Sequence, residues 1–186
     1  IVVGGDGNTV SGNWNGILGG YYNSFFGAVA SDTSLICAGS TNEIYSNSTN
    51  SNNSCIIAGS ENDLIDSANT VIIGGSNNAI TLSQYSLIGG GYGNAILSDS
   101  QHCVIVAGSQ NRITQAPLGL GRDFIGAGAN NIIYGEHDVI VGGYWNQVSG
   151  SSSTIVGGYQ NLSKGHYNFI GGGLNNLVTG DYSIVI

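Results

Sequence analysis

The sequence has 186 residues and a formal net charge of −8, with only three Lys or Arg against eleven Asp or Glu, 32 Gly, one Pro and no Met. Without clustered Lys and Arg there is nothing to bind a phosphate backbone, which excludes nucleic acid as a partner. No apolar run approaches the roughly 18 residues of a membrane-spanning helix, so no membrane insertion is expected within this segment.

Gly, Ser and Asn often signal a chain that cannot bury enough apolar area to fold. Here 41% of residues are hydrophobic and they are periodic. In chain order there are eleven units, called coils 1 to 11 below, each fixed by one Asn: Asn8, Asn23, Asn42, Asn62, Asn78, Asn94, Asn111, Asn131, Asn146, Asn161 and Asn176. The intervals are 15, 19, 20, 16, 16, 17, 20, 15, 15 and 15 residues.

Coil 1 sets the pattern. Val2 stands six residues before the anchor, Gly5 three before and Val10 two after. Coil 2 repeats it as Ile17, Gly20 and Phe25, and adds Tyr21 and Tyr22 before a first insertion at 27–32. Coil 3 is followed by a polar insertion at 46–53 that holds two glycosylation sequons, at Asn47 and Asn52. Coils 4 and 5 are regular, and coil 6 carries Tyr92 and an insertion at 97–101. Coil 7 ends in the insertion 114–121, with the only proline, Pro117. Coils 8 to 11 keep strict 15-residue spacing; coil 9 carries Tyr144 and Trp145, and coil 10 carries Tyr159 and the one polar core position, Ser163.

Two apolar sites separated by a Gly-containing corner within about 15 residues leave no room for a helix pair or a βαβ crossover. The unit reads as one turn of an all-β parallel β-solenoid (β-roll) of about 11 coils of 15–20 residues, forming a single domain over 1–186. At about 4.8 Å per coil the rod is roughly 50 Å long. Stacked anchors are expected to form an amide ladder. Because Ile1 starts within the pattern, the sequence is read as a fragment of a longer fibrous protein, with export signal and anchor elsewhere.

The stretches Ser34-Leu35-Ile36-Cys37-Ala38, Ser54-Cys55-Ile56-Ile57-Ala58, Ser86-Leu87-Ile88-Gly89-Gly90 and Ser183-Ile184-Val185-Ile186 resemble the head repeat of the trimeric autotransporter adhesins of the YadA type. A similar viral or phage fibre repeat fits the same pattern. The resemblance covers nearly the whole chain and implies a left-handed, trimeric β-roll at a cell or virion surface, outside the cell, that attaches to matrix or host. It transfers no ligand-contact residue.

Catalytic patterns are missing: there is no P-loop, no GxGxxG after a strand, no HExxH and no GxSxG. The reading is therefore not an enzyme, with no cofactor and no metal. His102, His137 and His166 read as solvated turn residues. Cys37, Cys55 and Cys103 occupy three different unit positions and read as buried thiols forming no intrachain disulfide. Asp123 and Asp138 hold the same position in successive coils, and like charges so close are expected to point into solvent beside Arg122 and His137, the alternative being a shared cation.

The candidate binding residues are the aromatics before the anchors: Tyr21, Tyr22, Tyr92, Tyr144, Trp145 and Tyr159, with Tyr144 and Tyr159 stacked. Such a row suits a host surface protein or glycan, which makes the first functional expectation an adhesin or fibre segment. A structural shaft or filament-forming segment is the competitor, and an ice-binding solenoid a distant third, since Thr is scattered over unit positions.

First strands often carry three consecutive apolar residues, as in Val71-Ile72-Ile73, Val104-Ile105-Val106 and Val139-Ile140-Val141. The flanking pair must face outward, and a large residue there is partnered by glycine, as in Phe124 with Gly126. This trade predicts a face covered by other copies of the chain, a homotrimer or filament, with Gly126→Val overfilling the shared space.

Overall fold

The computed structural model describes residues 1–12, 14–27, 33–46, 53–114 and 121–186. The described chain is a parallel β-solenoid with two eleven-stranded sheets. One sheet collects the first strand of each turn, from Gly16–Ile17 to Ile184–Val185, and the other the second strand, from Thr9–Val10 to Leu177–Val178. Strands two apart in sequence pair in parallel, so each coil bonds only to the coil before and the coil after. A third ladder, one residue wide, runs through the position two before the anchor, from Asp6 through Tyr21, Ser40 and onward to Leu174.

Register follows the repeat. Ile72 pairs with Ile88, Ile88 with Ile105 and Ile105 with Ile125, so the residues six before the anchor form one column. Those from Ile17 to Ile170 are fully buried. The residue two after the anchor faces them across the coil, buried from Phe25 to Val178. Each buried Ile removes about 1.5–3 kcal/mol worth of apolar surface from water. Ser163 takes a core position in coil 10, and its hydroxyl accepts a hydrogen bond from Asn168 Nδ2 at 3.2 Å, which satisfies the polar group where others have Val, Ile, Leu or Phe.

The amide ladder is present. Asn111 accepts the Asn131 N–H on Oδ1 at 3.1 Å and donates Nδ2 to the Ala107 and Gly128 carbonyls at 3.2 and 3.0 Å. The anchors from Asn23 to Asn161 are fully buried. Asn161, which heads the sequon Asn161-Leu162-Ser163, donates Nδ2 to the Gly157 and Gly173 carbonyls, both at 3.0 Å, so its amide is occupied. The left-handed backbone sits one residue earlier than the anchor, at Tyr22, Gln110 and Trp145 for example, whether or not that residue is Asn. The glycine three before the anchor is needed twice over: Gly128 has φ +92°, and a Cβ there would strike the Gly143 carbonyl of the next coil.

A second polar column stands eight residues before the anchor, where the chain enters the first strand: Asn15, Ser34, Ser54, Thr70, Ser86, Cys103, Asp123, Asp138, Ser153 and Asn168, all buried. Most rungs accept a backbone N–H from the next coil, such as Ser86 Oγ from Cys103 and Ser153 Oγ from Asn168, both at 3.1 Å.

The flanks of the first strands do face outward. Ile73, Val106, Val141 and Val156 lie in line along the rod, each 40–48% exposed in the single chain. The trade of large for small has a source inside the chain, however. A Cβ on Gly126 would lie 3.3 Å from Cε1 of the Phe124 ring and would also strike the Val141 carbonyl oxygen of the next coil. Gly126→Val thus clashes within one chain, so its effect does not by itself report a space shared between chains.

Candidate binding surface

The row of aromatics before the anchors lies on the third ladder, whose parallel bridges hold each backbone to its neighbours. Tyr21, Tyr92, Tyr144 and Tyr159 are 58%, 55%, 42% and 41% exposed, and Tyr22 and Trp145 beside them are also exposed. The residues fall into three separate groups. Tyr144 and Tyr159 stack at 5.6 Å between centroids and 13° between planes, and Trp145 meets Tyr144 edge-on at 5.9 Å and 79°. Exposed Leu174 continues this row on coil 11. Tyr21 and Tyr22 form a tilted pair at 6.5 Å on coil 2, and Tyr92 stands apart, flanked on its ladder by Ser76 and Ser109. In a column of stacked rings the faces cover one another, so the surface offered outward is ring edges and hydroxyls.

A second row was not read from the sequence. Nine residues before the anchor the backbone is again left-handed, at Trp14, Tyr85, His102, Arg122, His137 and Tyr167 among others, and at Tyr182 one 15-residue period beyond Tyr167, and these side chains are exposed. Tyr85 stacks on His102 at 4.9 Å, Tyr167 on Tyr182 at 5.0 Å, and Arg122 Nη1 lies 3.4 Å from His137 Nε2. The only hint in the sequence is that each precedes a small polar residue of the buried column. The position itself accepts Trp, Asn, Tyr, His, Arg and Ser, because its side chain meets solvent rather than protein.

His102, His137 and His166 are exposed, as expected for turn residues. The three cysteines are free, but only Cys103 is buried; Cys37 and Cys55 are half-exposed on the outward face of the first sheet. Cys37 and Cys55 are diagonal neighbours on coils 3 and 4, and the Cys55 thiol is raised to about 11, by burial first and by Cys37 second. Asn47 and Asn52 lie outside the described residues.

The aspartate pair overturns the expectation of solvation. Asp123 and Asp138 are 1% and 0% exposed, as rungs of the second polar column. Only their neighbours Arg122 and His137 point outward. The reason is the coil geometry: αL backbone at the preceding residue turns that side chain out and the next one in. Burial pushes the Asp138 carboxyl up to about 8, opposed by the Ser153 N–H and reinforced by Asp123 and Glu136.

On the second sheet Glu43 and Asp63 are register partners. Asp63 is raised to about 6 by burial, then by Glu43 and Glu61. Among the described residues no group of three or more His, Cys, Asp or Glu is placed to hold a metal ion, and no helix is long and apolar enough to cross a membrane. Where Gly16 leaves a gap in the outward apolar face, Ile1, Trp14, Leu18 and Leu35 border an apolar groove of about 580 Å³.

The fold defines the class, a parallel β-solenoid repeat protein. In comparisons with known proteins, no family model matches the chain and no curated protein matches it.

Proposed function

We propose that this chain is a non-catalytic segment of an extracellular fibre or adhesin, a stiff rod that presents aromatic side chains to a host surface protein or glycan. The observation that carries this reading is the Tyr144–Tyr159 stack with Trp145 at its edge. Three large rings are held half-exposed on a hydrogen-bonded ladder, so a partner would meet them already ordered, and ordering is much of what binding costs. The rings of the second row, such as Tyr167 on Tyr182, offer a further ledge of the same kind. Replacing Tyr144, Trp145 and Tyr159 together with Ser tests it. Attachment to cells, matrix or glycans falls at least tenfold while the thermal unfolding curve stays in place; unchanged attachment sinks the reading.

A second reading, a shaft or filament that acts by self-association, is favoured by the apolar line of Ile73, Val106, Val141 and Val156. Such a stripe in water is an aggregation liability unless copies of the chain cover it, and three-fold closure, with the left-handed roll that the repeat resemblance implies, would bury it completely. A chain that sediments as a monomer at micromolar concentration removes this second reading and leaves the first untouched.

A further inference from the structure

Most rungs of the buried polar column before the first strands follow one rule. A rung accepts an N–H from the next coil and gives a hydrogen to a nearby acceptor. Ser86 Oγ accepts the Cys103 N–H and donates toward the Gln84 and Ser100 carbonyls, both at 3.1 Å. Ser153 Oγ accepts the Asn168 N–H and donates toward the Ser151 and Gly165 carbonyls, both at 3.3 Å. Asn168 accepts the Ser183 N–H on Oδ1 at 2.9 Å and donates Nδ2 to Ser163 Oγ.

Asp138 obeys the first half of the rule, taking the Ser153 N–H on Oδ1 at 2.7 Å. Its Oδ2 is buried with no hydrogen-bond partner. Where Ser153 has the Gly165 carbonyl, three residues before the next rung, Asp138 has the Gly150 carbonyl. A Cβ on Gly135 would strike both the Gly150 oxygen and Asp138 Oδ2, so these two oxygens converge over one bare Cα. Left ionised, Oδ2 would be a buried acceptor turned toward an acceptor, with no donor to offset the loss of water.

We propose that Asp138 is carried as a neutral carboxylic acid at neutral pH, its Oδ2 proton directed at the Gly150 carbonyl, and that losing this proton in alkaline solution loosens the rod between coils 8 and 10. The surroundings agree. The coil below contributes Asp123, whose Oδ1 takes the Asp138 N–H at 2.9 Å and whose Oδ2 lies 3.8 Å from Cys103 Sγ. Asp138's own coil contributes Glu136, while Arg122 and His137 face solvent. The coil above contributes Gly150, Ser151, Ser152 and Ser153, none of them charged.

A proton fits where a metal ion does not. A hard cation such as calcium takes six to eight oxygens, whereas Asp138 Oδ1 is committed to an N–H and the space over Gly135 will not admit even a methyl group.

The folded carboxyl binds its proton up to about pH 8, against 3.8 for a free one. The folded state therefore holds an extra proton between those values; stability from this group is complete below the lower value, falls through the window, and is flat above it.

Asp138→Asn is the test, because Asn already fills this rung at Asn15 and Asn168 and keeps the acceptor while supplying a permanent donor. Thermal unfolding is followed from about pH 6 to about pH 9, with infrared spectra at neutral pH. The wild type should lose several degrees across that range while the variant loses much less and is the more stable at the alkaline end. A protonated-carboxyl C=O band should be present in the wild type and absent from the variant. Equal pH slopes, or no such band in the wild type, overturn the proposal. So does recovery of the wild type at alkaline pH on adding sodium or calcium chloride, which would mark a cation site. Should the variant not fold, the wild-type band and its titration decide alone.

Discussion

Asn131 gives two hydrogens to a single atom of Asn111: its backbone N–H at 3.1 Å and its Nδ2 at 3.0 Å both reach Asn111 Oδ1. The same amide of Asn111 bonds carbonyls of its own coil and of the next, so one side chain closes the turn and joins two coils.

Asn111→Ala therefore strands the buried Asn131 N–H and the Ala107 carbonyl, and leaves the Gly128 carbonyl with the Ser109 N–H alone. At roughly 1–3 kcal/mol for each buried group left unpaired, with partial relaxation, the loss should be about 3–5 kcal/mol. Asn111→Asp keeps the acceptor but removes both donors, and should not rescue. Urea unfolding monitored by circular dichroism measures both.

Gly126→Val should destabilise the isolated chain, because the new side chain meets the Val141 carbonyl and the Phe124 ring of the same molecule. Val141→Lys is the cleaner probe of self-association. That side chain is 48% exposed, so unfolding should shift by no more than about 0.5 kcal/mol, while light scattering shows weaker assembly. Loss of folding in Val141→Lys, or intact stability in Gly126→Val, would contradict this account.

Ser163→Val should cost about 1–2 kcal/mol despite adding apolar volume to the core, because Asn168 Nδ2 loses its acceptor in a buried place. Adding Asn168→Ser reproduces the combination of Val148 with Ser153 in the preceding coil. The double variant should recover at least wild-type stability, giving a coupling of about 1 kcal/mol or more in a double-mutant cycle.

Asp63 sets a second pH window, below that of Asp138. Its folded carboxyl sits at about 6, against 3.8 for a free one, so the folded state holds an extra proton between them and stability falls as pH rises through that interval. Asp63→Asn should flatten the melting temperature there and leave the slope at higher pH unchanged. Glu43→Gln, which removes the charge of its register partner, should reduce the same slope partly.

The spacing of Ile, Gly and Asn carried the architecture because one coil is too small to build any other way. The column from Ile17 to Ile170 and the Asn ladder were legible for that reason. So was the Tyr144–Tyr159 stack, since equal positions in successive coils must lie about 4.8 Å apart. The direction of the side chains on either side of a left-handed residue was not legible. Asp123 and Asp138 look like surface charges when judged by residue type, and only the turn of the backbone at Arg122 and His137 sends them inward. The row from Trp14 to Tyr182 was hidden for the complementary reason: a solvent-facing site imposes no residue type. The trade between Phe124 and Gly126 was visible, but sequence alone could not tell a ring folding over its own strand from one reaching toward another chain.

Because the backbone bonds between coils run along the rod and each coil grips only its two neighbours, a pull on the two ends of the chain meets the end coils alone. The load peels them singly instead of spreading over the whole length. Each coil released adds 15 to 20 residues of slack, or about 50–70 Å of extended chain. Under tension the molecule should pay out length coil by coil, in steps set by the length of each coil, while its remaining coils stay intact.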